Sequence, residues 1–171
     1  MEIDFKGCSV LVTGAVRGIG RTITRSFAEN GATVWALDIE QDLLKEISSN
    51  LDPEVASRIH SLYCDVTDPE SVKEVVSEIE KKSVSGAVDV AVHSAGGVRS
   101  RLKTPIEKVS DEDWRIIQAV NLDGSFHIAR AVVPGMKRVG KGRIIVISSR
   151  AGIGVSLTGI QSYGTAKAAQ I

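Results

Sequence analysis

The chain is short of several things. Two cysteines in 171 residues cannot build a disulfide scaffold, and no cluster of Cys and His surrounds either one, which excludes a zinc centre. There is no net charge. Twenty-one basic residues balance 21 acidic ones, leaving no electrostatic footprint for a nucleic acid. No apolar run approaches the roughly 20 residues of a membrane-spanning helix. The opening Met1-Glu2-Ile3-Asp4-Phe5-Lys6-Gly7 is too acidic and too poor in apolar length to read as a secretory signal. Residues 151–166 carry no charge, but Gly, Ser and Thr interrupt them, so they read as a covered loop. Repeats and low-complexity tracts are missing too, and the expectation is a single domain over residues 1–171.

What is present is an ordinary globular composition, 43% hydrophobic and 25% charged. Short apolar runs alternate with helical patterns. The runs are Val10–Val12, Thr33–Leu37, Ile59–Cys64, Val88–Val92 and Ile144–Ile147. Between them, Ile19, Ile23 and Phe27 recur at helical spacing, as do Leu43, Leu44 and Ile47, and then Val72, Val75, Val76 and Ile79. Asn30-Gly31 closes the first helix, a polar link with Pro53 follows the second, and Asp68-Pro69-Glu70 opens the third. Ser110-Asp111-Glu112-Asp113 caps a fourth helix carrying Trp114, Ile117, Val120, Phe126 and Ile128 and running toward Pro134. Asn121 and Gly124 inside it are poor helix formers and mark an irregularity. This alternation predicts an α/β fold: a doubly wound parallel sheet of Rossmann type, with helices on both faces. In a 3-2-1 strand order Cys8 and Cys64 stand about two spacings of ~4.8 Å apart, too far to bond. They are read as free buried thiols of a reducing, cytoplasmic protein.

Such a sheet binds ligands beyond the carboxyl ends of its strands. The first strand runs into Thr13-Gly14-x-x-x-Gly18-Ile19-Gly20 and then a helix. Glycines allow a tight turn and close backbone approach, and a helix N-terminus offers free N–H groups to a pyrophosphate. Asp38 ends the second strand, where a carboxylate accepts from ribose hydroxyls and repels a 2′-phosphate, favouring NAD over NADP. Arg17 points the other way, since a basic residue there can meet a 2′-phosphate. Asp65, Gly96 and Ser149 also follow strand ends.

Tyr163 and Lys167 are four residues apart, neighbours on one helix face. An ordinary phenol titrates near pH 10, and an adjacent ammonium in a partly dry site favours its phenolate. The pair could therefore exchange a proton with an alcohol or carbonyl, with a hydroxyl such as Ser149 orienting the oxygen. Hydride chemistry would belong to a nicotinamide.

Together these residues resemble the short-chain dehydrogenase/reductase family in its commonest subgroup. The pieces are Thr13-Gly14-x-x-x-Gly18-Ile19-Gly20, Asp38, Asp65-Val66, Ala95-Gly96, Asn121, Ser149 and Tyr163-x-x-x-Lys167. The resemblance implies an NAD(H)-dependent oxidoreductase interconverting a secondary alcohol and a ketone. Tyr163 would be the acid/base, Lys167 would ease its deprotonation and hold the nicotinamide ribose, and Ser149 would bind the reacting oxygen. Asn121 would hold a water of the proton relay, and Asp65 and Val66 would face the adenine. Ser149 is chosen over Ser148 because Gly152 follows it by three. Two departures stand out. His93-Ser94 replaces a pair that commonly contains asparagine, which implies altered bracing, with His93 satisfied by backbone partners. Family members also continue well past this point, so the resemblance implies a part of a longer chain. A homo-oligomer, paired through the helices beginning near Ser110 and Ser162, is implied as well. The alternatives are a non-catalytic NAD-binding module and, less favoured by the glycine spacing, an epimerase or dehydratase. The substrate is not legible; the loop after Gly96 and residues 150–161 would select it, and the charges of Arg99, Arg101 and Lys103 in that loop read as a solvated surface rather than a substrate clamp.

Overall fold

A computed structural model describes residues 4–98, 104–155 and 159–171. Five parallel strands form one sheet in the order β3-β2-β1-β4-β5. They are β1 (Ser9–Thr13), β2 (Thr33–Asp38), β3 (Ile59–Tyr63), β4 (Val90–His93) and β5 (Arg143–Val146). The helices are α1 (Gly18–Glu29), α2 (Gln41–Glu46), α3 (Pro53–Ala56), α4 (Pro69–Lys82), α5 (Asp111–Gln118), α6 (Gly124–Val139) and α7 (Gln161–Ala169). The strand order reverses between β1 and β4, where Val12 pairs with Val92 and Thr13 with His93.

Strand side chains alternate between faces, so β1 feeds two cores. Leu11, Trp35, Leu37 and Ala91 pack with Val72, Val76 and Ile79 of α4 and with Ile128 and Val132 of α6. Val10, Val12, Val34 and Ala36 pack on the other face with Ala28 of α1 and Leu44 of α2. Each fully buried Val or Leu contributes about 1.5–3 kcal/mol, which is why β1 is the least interruptible strand. Asp52, Asp68 and Ser110 accept backbone N–H bonds as the caps of α3, α4 and α5.

Several sequence expectations need correction. The buried stripe of α1 is Gly20, Thr24 and Ala28, small residues that let the helix lie close on the sheet; Ile23 and Phe27 are half-buried, and Ile19 is exposed. The link with Pro53 contains α3. His93 belongs to β4, not to the loop after it. The helix from Ser110 is two helices joined by a π-turn at Ala119–Asp123, and α6 runs past Pro134 to Gly140, whose φ is 73°. Burial of Val132 and Met136 offsets the proline, which brings no N–H to the helix ladder. Ile153 and Val155 are largely exposed, so that part of the uncharged stretch is not covered. Both cysteines are free, but only Cys64 is buried; Cys8 is half-buried. Among the described residues no helix is long and apolar enough to cross a membrane, and no cluster of His, Cys, Asp or Glu could hold a metal.

Candidate active site

A cleft of about 820 Å³ opens at the carboxyl ends of the strands. Gly14, Arg17, Gly18, Ile19 and Gly20 line it from the β1–α1 turn, and Asp38 from the end of β2. Asp65 and Val66 line it beyond β3, Ala95 and Gly96 beyond β4, Ser149 beyond β5, and Tyr163 and Lys167 from α7. Asn121 is fully buried behind the Gly96 loop. Arg99, Arg101 and Lys103 lie outside the described residues.

The β1–α1 turn requires Gly14. Its φ is 63°, and a Cβ there would stand 2.8 Å from the backbone of Ala95. This contact brings the first turn against the β4 loop. Thr13 fastens the same two segments: its Oγ1 accepts from the N–H groups of Ser94 (3.2 Å) and Ala95 (3.1 Å) and meets His93 Nδ1 at 3.0 Å. His93 is therefore satisfied on one side by a hydroxyl, not by the backbone partners expected for it. Its Nε2 is buried with no hydrogen-bond partner among the described residues. Burial, with the Lys167 charge second, pushes the imidazole down to about 4, so it is neutral at pH 7.

Asn121 explains the break between α5 and α6. A π-turn carries one extra residue and leaves the i−4 backbone pattern, freeing polar groups for other partners. Asn121 Oδ1 accepts from Gly97 N–H (3.0 Å), and Nδ2 donates to the carbonyls of Gly97 (3.0 Å) and Ile117 (2.8 Å). The amide thus mimics a strand partner for Gly97. Gly96 makes room for it, since a Cβ at Gly96 would fall 2.5 Å from Oδ1. The Asn121 carbonyl accepts from Gln170 Nε2, and Gln170 Oε1 accepts from Lys167 Nζ at 2.9 Å. The sequence reading missed Gln170, although its place three residues after Lys167, one helical turn on, was the available signal.

Lys167 is 4% exposed, and its Nζ also donates to the Ile147 carbonyl at 2.8 Å. Burial lowers its pKa from the ordinary lysine value. The ammonium sits 5.5 Å from the centre of the Tyr163 ring, on the same helix. Ser148 Oγ donates to the Lys167 carbonyl at 2.8 Å and is thereby committed to α7. Among the described residues Ser149 Oγ only accepts, from Ala151 N–H at 3.2 Å, which leaves its hydrogen available to the cleft. Beside Tyr163 a smaller recess is lined by Val98, Val109, Ile117, Ile160 and Gln161.

At the other end of the cleft Asp38 Oδ1 accepts from the N–H groups of Ile39 (2.8 Å) and Glu40 (3.1 Å), and Oδ2 accepts from Val16 N–H at 3.3 Å. α1 has no side-chain cap and no acidic residue in its first turn, so its leading N–H groups remain open to an anion. Asp65 Oδ1 accepts from Thr67 N–H and Oγ1 at 2.9 and 2.7 Å, and the Val66 carbonyl meets His127 Nδ1 at 2.9 Å.

Residues 9–171 match the family described as short chain dehydrogenase. The 3-oxoacyl-acyl-carrier-protein reductase of Thermotoga maritima is 35% identical over 171 residues, 100% of this chain and 66% of that protein. The NAD-dependent glycerol dehydrogenase of Listeria innocua is 35% identical over 159 residues, 93% of this chain and 59% of that protein. The solved structure of NAD+-bound xylitol dehydrogenase is similar with a TM-score of 0.86 at 28% identity, over 97% of this chain and 62% of that one. The chain thus spans between 59% and 66% of the length of these relatives. With the parallel sheet, the glycine turn and the Tyr163–Lys167 helix all inside the matched region, the chain belongs to the short-chain dehydrogenase/reductase family.

Proposed function

We propose that this chain carries the nucleotide-binding and catalytic core of an NAD(H)-dependent oxidoreductase that interconverts a secondary alcohol and a ketone. The observation that carries the reading is the meeting of Tyr163, Lys167 and Ser149 in the same cleft as the open N-terminus of α1 and Asp38. A nicotinamide dinucleotide fits that cleft. Gly14, Gly18, Ile19 and Gly20 would hold its pyrophosphate, and Asp38 its adenosine ribose. Asp65, Val66, Ala95 and Gly96 would flank the adenine and the nearer ribose, and Lys167 and Tyr163 would bond the nicotinamide ribose. When bound, the nicotinamide supplies the hydride acceptor or donor.

The chain's own residues do the proton chemistry. Ser149 donates to the reacting oxygen and fixes its place. Tyr163 Oη takes the alcohol proton, or returns it to the carbonyl oxygen in the reverse direction. The Lys167 ammonium, held by Ile147 and Gln170, favours the deprotonated phenol electrostatically. Asn121 keeps the Gly96-Gly97 segment in place at the edge of the cleft. The recess beside Tyr163 would receive the part of a small-molecule substrate that does not react. Pairing with a second copy through the helices that begin near Ser110 and Ser162, α5–α6 with its exposed Trp114 and Phe126 and α7, belongs to the same reading, as does a cytoplasmic location with both thiols reduced.

The test is Tyr163→Phe. Turnover of secondary alcohols with NAD should disappear, while NADH binding measured by fluorescence stays nearly the same. Retained turnover would sink the mechanism. A wild-type protein that binds NADH and turns over no alcohol or ketone would favour a non-catalytic NAD-binding module.

A further inference from the structure

Arg17 and Glu40 face each other across the rim of the cleft, and the ion pair between them engages the guanidinium as a fork. Arg17 Nε donates to Glu40 Oε1 and Nη2 donates to Oε2, each at 2.7 Å. Two parallel bonds of this length are the geometry in which arginine also grips a phosphate. Glu40 therefore occupies the donors that a phosphate would use. Asp38 adds a second carboxylate near the guanidinium: it raises the Arg17 pKa further, after the larger effect of Glu40. Both Arg17 and Asp38 line the cleft, and Glu40 stands with them.

A ribose diol and a ribose 2′-phosphate would meet this frame differently. A diol needs only an acceptor, and among the described residues Asp38 Oδ2 has one long contact, from Val16 N–H at 3.3 Å, so it keeps lone-pair capacity. A phosphate carries about −1.5 to −2 charges near neutrality. It would have to displace Glu40 from Arg17 and then stand beside two carboxylates. The presence of Arg17 in the turn, read alone, favours the phosphate; its engagement by Glu40 reverses that meaning.

We infer that Glu40 sets the preference for a dinucleotide with a free 2′-hydroxyl over one with a 2′-phosphate, by holding the Arg17 guanidinium in a closed ion pair. The inference rests on the cleft taking a nicotinamide dinucleotide. Glu40 is a specificity residue acting through Arg17, which distinguishes its effect from that of a carboxylate that merely repels.

The experiment is a fluorescence titration of NADH and NADPH against the wild type, Glu40→Gln, Arg17→Gln and the double variant, read as the ratio of the two dissociation constants. Glu40→Gln should shift the ratio toward NADPH by about two- to fivefold, fivefold being the span of an exposed ion pair at its strong end. Arg17→Gln alone should change the ratio little, because the guanidinium is already engaged. The double variant should lose most of the shift, a non-additivity that isolates the pair. An unchanged ratio in Glu40→Gln overturns the inference while leaving the dinucleotide reading intact. A shift that survives in the double variant also overturns it, since charge removal alone would then account for the effect. A wild type that binds neither nucleotide removes the cleft reading and this inference together.

Discussion

Thr13 Oγ1 and His93 Nδ1 lie 3.0 Å apart across the β1–β4 pair, and the bond fixes which ring nitrogen carries the proton. A hydroxyl has two acceptor lone pairs and one hydrogen. Both lone pairs of Thr13 are taken by Ser94 and Ala95 N–H, so its hydrogen goes to Nδ1, and the proton of the neutral ring sits on Nε2. A second proton on Nδ1 would face a hydroxyl with nothing left to accept it. At 1% exposure the resulting charge would also be unsolvated.

This gives a pH dependence with a definite sign. His93 in the unfolded chain takes a proton near pH 6.5, whereas in the folded protein it resists down to about 4. Between those values the unfolded state binds more protons, so stability is full above pH 6.5 and is lost as pH falls toward 4. The loss should reach on the order of 3 kcal/mol. His93→Asn offers Thr13 an acceptor and does not titrate, so its denaturation midpoint should fall less across this window. Parallel pH profiles for the two proteins would remove His93 as the cause.

Asn121→Ala deletes the amide that serves Gly97 N–H, Gly97 C=O and Ile117 C=O at once. Each group left buried and unpaired costs about 1–3 kcal/mol. Denaturant unfolding should show a loss of at least about 2 kcal/mol, and NADH binding should weaken because the Gly96-Gly97 segment is released. A stable variant with unaltered NADH affinity would show that the π-turn holds that segment without the side chain.

Gly14→Ala places a methyl 2.8 Å from the Ala95 backbone at a φ of 63°. The left-handed conformation alone costs an alanine about 1–2 kcal/mol, and relief of the contact must push β1 and the β4 loop apart. The variant should be destabilised by roughly 2 kcal/mol or more and should bind NADH poorly. Wild-type stability would mean that the Ala95 loop yields freely.

The two thiols should separate by reactivity. Burial raises the Cys64 thiol to about 11, so little thiolate forms at pH 8. Cys64 is 2% exposed, while Cys8 is half-buried. Disulfide exchange with a soluble aromatic disulfide should modify Cys8 first and Cys64 only on unfolding, as read by peptide mass mapping. Rapid modification of Cys64 in the folded protein would contradict this.

The sequence by itself determined the strand-turn-helix order, because apolar runs and glycine spacing are local properties that a parallel sheet leaves visible. The β1 run and its glycine turn, the acid at the end of β2, the caps at Asp68 and Ser110, and the i, i+4 relation of Tyr163 and Lys167 are all of this kind. The irregularity at Asn121 was visible as poor helix propensity, but its form was not: a π-turn depends on Gly97, 24 residues earlier, taking the freed amide.

Only the tertiary structure decided the partners. Thr13 and His93 are 80 residues apart in sequence, and nothing local says that the hydroxyl reaches that ring. Arg17 read as a counter-signal to the NAD preference of Asp38 until the fold set Glu40, the N-cap of α2, against it. Gly152 favours Ser149 over Ser148 in the sequence, but the physical difference, a Ser148 hydroxyl occupied by the Lys167 carbonyl of α7, exists only in the fold. The physical reason is common to all three. Hydrogen-bond and ion-pair partners are fixed by which backbone segments the sheet places side by side, and that juxtaposition carries no periodic signature along the chain.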